Sequence, residues 1–268
     1  MGRAILQGLK VYPRFLLLHV RMQVEYEVDF WLGILGIFLS QLAGLLFVWT
    51  LFSRVPSIAG WTLPESALLY ALLLIPRGLV DIFCDGPWQL PALVNSGDFD
   101  RMRLRPVPLL IQVFTRSSRI HGLGHLGLGG YVIYEATQRL GFEWTGAKLA
   151  FLAVTLAASV VIVTAISLAA NCVAFWDRSG SVAMAVFALN LGDAAVLPLT
   201  LYPRLLQGLL TWVVPFAFVS YFPACALLGK PLASPVLGWS GPLAALASAT
   251  VAGLIWKRCV HRYDSTGS

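Results

Sequence analysis

The charged residues of this chain are few, and they are gathered. Residues Gly97 to Pro108 read GDFDRMRLRPVP and set Asp98, Asp100, Arg101, Arg103 and Arg105 between strongly apolar flanks. Arginines alone would suit anionic lipid head groups, whereas carboxylates interspersed with them suit a protein surface of complementary charge. Upstream, Arg77, Asp81 and Asp85 follow one another at i, i+4 spacing, so Arg77 and Asp81 are expected to form a structural ion pair facing a bundle interior. Asp193, in NLGDAAVLP, has no oppositely charged residue at helical spacing. It is a candidate for a translocation path or a subunit contact, or else a carboxylate hydrated near an interface. His121 and His125 stand four apart, a spacing that two metal-bound imidazoles can share. No carboxylate or cysteine lies near them in sequence, and no metal site is expected. Cys84, Cys172, Cys225 and Cys259 are isolated and outline neither a zinc site nor a disulfide framework. The one Gly-Lys pair, Gly229-Lys230, is followed by Pro231 and lacks the upstream glycine of a phosphate loop, so ATP is not bound here by that route.

The elements that must position these residues follow from composition. With 58% hydrophobic and 12% charged residues among 268, a soluble globule would leave large apolar patches in water. The chain reads as an all-α integral membrane protein, because its apolar runs are continuous rather than alternating. Uncharged runs at Phe30 to Phe52, Leu149 to Trp176, Leu205 to Gly229 and Pro231 to Trp256 each reach the roughly 20 residues that cross a hydrocarbon core. Residues 1–29 do not read as a cleavable signal peptide and are expected to stay attached. Arg3, Lys10, Arg14 and Arg21, set among Leu6, Leu9, Phe15 and Leu18, fit either an N-terminal interfacial helix or a basic flank that orients the first span.

Seven crossings would put the basic termini on opposite sides, against the positive-inside rule. Residues 202–231 are the exception: Pro215 and Pro223 interrupt the helix, and Trp212, Tyr221 and Phe222 favour an interface. Read as a re-entrant helical segment before the last span, this stretch leaves six transmembrane helices, at about 30–52, 65–85, 112–136, 147–175, 180–201 and 238–256. Thirteen of the nineteen basic residues then lie inside with both termini, which accounts for the net charge of +6 without nucleic acid. The inner loop 86–116 holds a helix of its own, opened by Pro87 and Trp88 and stopped at Gly97. With Phe99, Met102 and Leu104 between its charges, it reads as a docking surface. The glycines of HGLGHLGLGG, residues 121–130, allow close helix approach.

LVNSGDFDRMRLRPVPLLIQV, together with LYPRLLQGLLTWVVPFAFVSYFPACALLGKP, resembles the membrane subunit of ABC-2 type transporters, in a bacterial permease branch that pairs with a separate ATPase. The likeness runs from the N-terminal segment to the last span, so the whole chain, 1–268, reads as one permease domain. It implies a subunit of an ATP-driven exporter in the bacterial cytoplasmic membrane. The interfacial helix and the coupling loop 86–116 would rest on an ABC ATPase through Trp88, Asp98, Asp100, Arg101, Arg103 and Arg105. A second permease subunit would complete a path, with Asp193, Pro215, Phe216, Tyr221 and Pro223 along it or at the contact between subunits. ATP and Mg would sit on the partner ATPase, with no cofactor and no catalytic residue on this chain. A secondary transporter or a membrane-embedded enzyme is the alternative; the first would show internal repeats, the second a nucleophile and a base at one depth.

Overall fold

The computed structural model describes residues 12–13, 17–176 and 181–263; Arg3, Lys10, Arg14 and Arg178 lie outside them. The described residues form helices joined by turns, with no strand beyond an isolated bridge between Ile58 and Trp61. After helical residues 17–25 and a bend at Tyr26, α1 spans Glu27–Phe52, with Glu27 and Asp29 in its first turn against the positive end of the helix dipole. A tight turn through Gly60, at φ 77°, leads into α2, Leu63–Phe83. A capping box between Thr62 and Glu65 starts that helix. Leu68, Leu69, Leu72, Leu73 and Leu74 are buried, so α2 is the centre of the bundle.

Beyond α2 the chain folds as a compact loop domain. A 3₁₀ turn, Gly86–Gln89, leads to α3, Leu90–Asn95, then α4, Asp98–Arg103, and α5, Leu109–Phe114. Gly97 ends α3 with φ 76°, the left-handed conformation its glycine was expected to supply. The bundle resumes at α6, Leu123–Arg139, rather than at residue 112. Residues 109–122 leave the apolar run because their polar groups are claimed by other segments of the loop domain and by the end of α2. Gln112 Nε2 donates to the carbonyls of Met102, at 2.9 Å, and Val107, at 2.7 Å, and Ser118 Oγ donates to the carbonyl of Ile82 at 2.6 Å.

α6 packs along α2, and Gly122 and Gly78 make the approach possible: a Cβ on Gly122 would stand 2.6 Å from the Gly78 carbonyl oxygen. Gly127 and Gly130 face open space. α7, Gly146–Asn171, starts at Thr145, whose hydroxyl accepts from the Lys148 N–H, and α12, Gly241–Arg262, packs along it. Between them come α8, Ser181–Ala194, and a bent pair: α9, Arg204–Gly208, continued by a π-helical turn Leu209–Val213, and then a 3₁₀ turn Phe216–Phe218 before α10, Tyr221–Leu228. The two arms of the pair meet at 77°. Pro215 stands at that break. Pro223 does not interrupt a helix, since it lies in the first turn of α10, where a missing N–H costs nothing. A short α11, Pro235–Trp239, precedes α12.

Among the described residues, α1, α2, α7 with the 3₁₀ turn that extends it to Phe175, and α12 are long and apolar enough to cross a bilayer, and the bent pair would make a fifth such unit. α6 has 17 residues and α8 has 14, short of the roughly 20 that a straight crossing needs.

Candidate functional site

Residues 84–122 crown one end of the bundle, and two devices fix them there. The first is an aromatic nest. Phe99 of α4 is fully buried with its ring 5.1 Å from Phe175, 5.0 Å from Tyr263 and 6.2 Å from Trp256. Edge-to-face pairs of this kind add about 0.5–1.5 kcal/mol each beyond area burial. Met102 is buried on the same side, so Phe99 and Met102 mount the helix instead of lying on its outer surface; Leu104 remains 86% exposed.

The second device is a polar latch. Arg119 Nη2 lies 3.0 Å from Asp81 and 2.6 Å from Asp85, the Arg119 N–H donates to the Asp81 carbonyl, and Ser117 Oγ donates to Asp85 at 2.6 Å. His125 Nδ1 stands 3.2 Å from Asp81, while the His121 ring lies against Gly33 of α1. Burial pushes the Asp85 carboxyl above its ordinary range, and Arg119 and Ser117 pull it back. The N-terminal segment joins this latch. Gln23 Nε2 donates to the Ser118 carbonyl at 2.5 Å while its Oε1 accepts the Ile120 N–H at 3.1 Å. His19 contacts the Arg116 carbonyl, and Tyr12 donates to the Phe83 carbonyl; burial raises the Tyr12 phenol to about 12. Gln23 carries no sequence signal beyond being an uncharged amide in a polar flank.

Arg101, Arg103 and Arg105 are exposed on the crown, and Trp88, Asp98 and Asp100 are half-buried. Asp98 lies 3.4 Å from Arg101 and 3.9 Å from Arg116, and Asp100 accepts from Tyr263 at 3.5 Å. The two carboxylates therefore have duties within the chain, so their presence alone does not call for a partner.

The expected Arg77 and Asp81 pair is not formed; each side chain is engaged elsewhere. Arg77 Nη1 meets Asp193 of α8 at 2.6 Å, and Asp81 belongs to the latch. Arg at i and Asp at i+4 is the weaker order on a helix, because side chains lean toward the N-terminus and a long Arg side chain leans away from a later Asp. Phe216, at the tip of the bent pair, packs beside this cross-helix contact: a Cβ on Gly192 would come 2.6 Å from the Phe216 ring and 2.9 Å from Arg77. Asp193 and Phe216 are thus brought together, with Pro215 next to Phe216 in the chain. Tyr221 and Pro223 are buried farther along, where Tyr221 packs on Trp61 with ring centroids 5.7 Å apart. At that far end Lys230 Nζ reaches Glu65 at 2.9 Å and the Gly60 carbonyl at 2.7 Å, holding the bent pair to the start of α2.

Apolar helices with outward Leu, Phe and Trp side chains, a broken apolar pair and buried polar contacts between helices define a multi-pass helical membrane protein. The chain belongs to a transporter family: residues 38–267 match the family described as ABC-2 family transporter protein, so this is a membrane permease subunit of that class. No curated protein and no solved structure matches it.

Proposed function

We propose that this chain is the membrane half of an ATP-driven exporter in the bacterial cytoplasmic membrane. It has six spans, with α6 and α8 as the short ones, both termini cytoplasmic, and residues 202–231 dipping in from the outer side. Residues 1–29 and 86–116 receive a separate ABC ATPase, which holds ATP and Mg, and a second permease subunit completes the path. One observation carries the coupling reading: Arg101, Arg103 and Arg105 are exposed on a helix-bearing crown whose inner face is fastened by Phe99 and by the Arg119 latch. A rigid lever with a basic face can pass a push from an acidic partner surface to α2, α6 and α12. A secondary transporter would need none of this mounting.

The deciding experiment is Arg101→Glu, Arg103→Glu and Arg105→Glu together, in a chain co-expressed with the ATPase of a neighbouring gene. Like charges placed against the partner can cost several kcal/mol, so ATPase co-purification and transport should fall while insertion and yield hold. Full ATPase retention and transport in a normally inserted triple variant would remove the support for coupling through α4.

A further inference from the structure

An open cavity of about 730 Å³ runs between α7, α8, the tip of the bent pair and α12. It is about five times the volume of an engineered cavity of about 150 Å³ that admits benzene. On α12 its wall is Leu243, Ala247, Val251 and Ile255, which extends over about 18 Å at 1.5 Å per residue. Trp212 and Met184 face it from the other elements. The hydroxyls that line it are all spent on their own helices: Thr211 donates to Gln207, Ser240 to Leu237 and Ser248 to Ala244. Apart from the Trp212 indole N–H, the wall offers alkyl and aromatic surface, which suits a hydrocarbon chain.

What holds the other end of that occupant follows from helix periodicity. Arg258 comes seven residues after Val251, and Arg262 comes seven after Ile255, within the same helix, so both continue the cavity-lining stripe past its end. Lys257 falls off the stripe. Arg258 and Arg262 are exposed, and among the described residues neither is in an ion pair. They stand at the crowned end, where Tyr263 joins the Phe99 nest. We infer that this cavity is a binding site for one anionic phospholipid, its acyl chain lying along α12 and its phosphate on Arg258 and Arg262. The inference does not rest on ATPase docking. The bound chain fills the space between α12 and the tip at Trp212, so the lipid ties the bent pair to the last helix.

The test uses the full chain, purified in mild detergent, stripped of lipid and returned to phosphatidylglycerol or phosphatidylcholine of the same acyl composition, with bound lipid counted by native mass spectrometry. The native chain should retain one phosphatidylglycerol in preference to phosphatidylcholine. Arg258→Gln with Arg262→Gln should lower phosphatidylglycerol retention about thirtyfold and leave phosphatidylcholine unchanged, given the contribution of each basic residue near an anionic head group. Ala247→Trp, which fills the cavity, should lose the retained lipid altogether. The double glutamine variant lies on exposed turns and decides the matter even if the tryptophan variant does not fold. Unaltered retention in that variant, or equal retention of the two lipids by the native chain, would reduce the site to ordinary annular lipid. Loss of the lipid from a two-chain species would give the cavity to a second copy instead.

Discussion

Arg77 of α2 and Asp193 of α8 meet at 2.6 Å, across 116 residues of chain. Their side chains are unequally placed, Arg77 being 17% and Asp193 58% exposed, so the two ends of the contact should respond differently to substitution. Asp193→Ala deprives a mostly buried guanidinium of its carboxylate. It should lower the yield of folded protein, by about 1.5–3 kcal/mol for the charged hydrogen bond that is lost. Arg77→Ala leaves an Asp193 that solvent or head groups can reach, and it should cost less. The exchange Arg77→Asp with Asp193→Arg should recover part of the loss, whereas an exchange of Arg77 with Asp81 should not. Equal recovery in both exchanges, read as monodisperse yield, would show that the cross-helix contact does not decide stability.

The Asp85 latch carries a pH signature. Its carboxyl is raised by burial and pulled back first by Arg119, so Arg119→Ala should raise it further. A carboxyl raised in the folded state contributes its full stabilisation below the unfolded pKa and loses it as pH rises through the folded value. Thermal unfolding of Arg119→Ala should therefore show stability falling as pH increases from the acid side. Adding Asp85→Asn should flatten that slope, and a slope that survives would place the titration elsewhere.

Gln23 uses both ends of one amide on the backbone of residues 118 and 120. Gln23→Leu removes both hydrogen bonds and should cost about 1–3 kcal/mol. Gln23→Glu keeps the acceptor toward Ile120 and loses the donor toward Ser118. Proteolysis of the segment before α1 should rise in the order native, Glu, Leu. No change in any of the three would mean that the N-terminal segment is held by other contacts.

Topology needs engineered probes, because Cys225 is 1% and Cys259 0% exposed and neither reports its side by labelling. Ser57→Cys, in the exposed turn after α1, should react with an impermeant maleimide on intact cells, and Lys257→Cys, on the exposed face of α12, should react only after the cells are opened. The reverse pattern would place the crown outside and end the coupling proposal. Reaction of both from outside would demand an even number of crossings between them, against the five of the six-span arrangement.

Much of the architecture lies in one-dimensional properties of the chain, namely the length of an apolar run, the position of a proline and the count of arginines. These determined the helical membrane class, the break at Pro215, the turn at Gly97 and the basic crown, since each depends on neighbours in sequence and on the cost of an unpaired backbone group in lipid. The residues 109–122 were not legible as a fold apart from the third apolar run, because Gln112, Ser117 and Ser118 find their acceptors on other segments. Only the tertiary structure decided which charges pair. Arg77 has an acid four residues away and takes one on another helix, because side-chain lean disfavours the near one and packing of Phe216 on Gly192 brings the far one within reach. Tertiary packing likewise turned Phe99 inward: its type is the same on either face of a short helix, and only the positions of Phe175, Trp256 and Tyr263 choose between them.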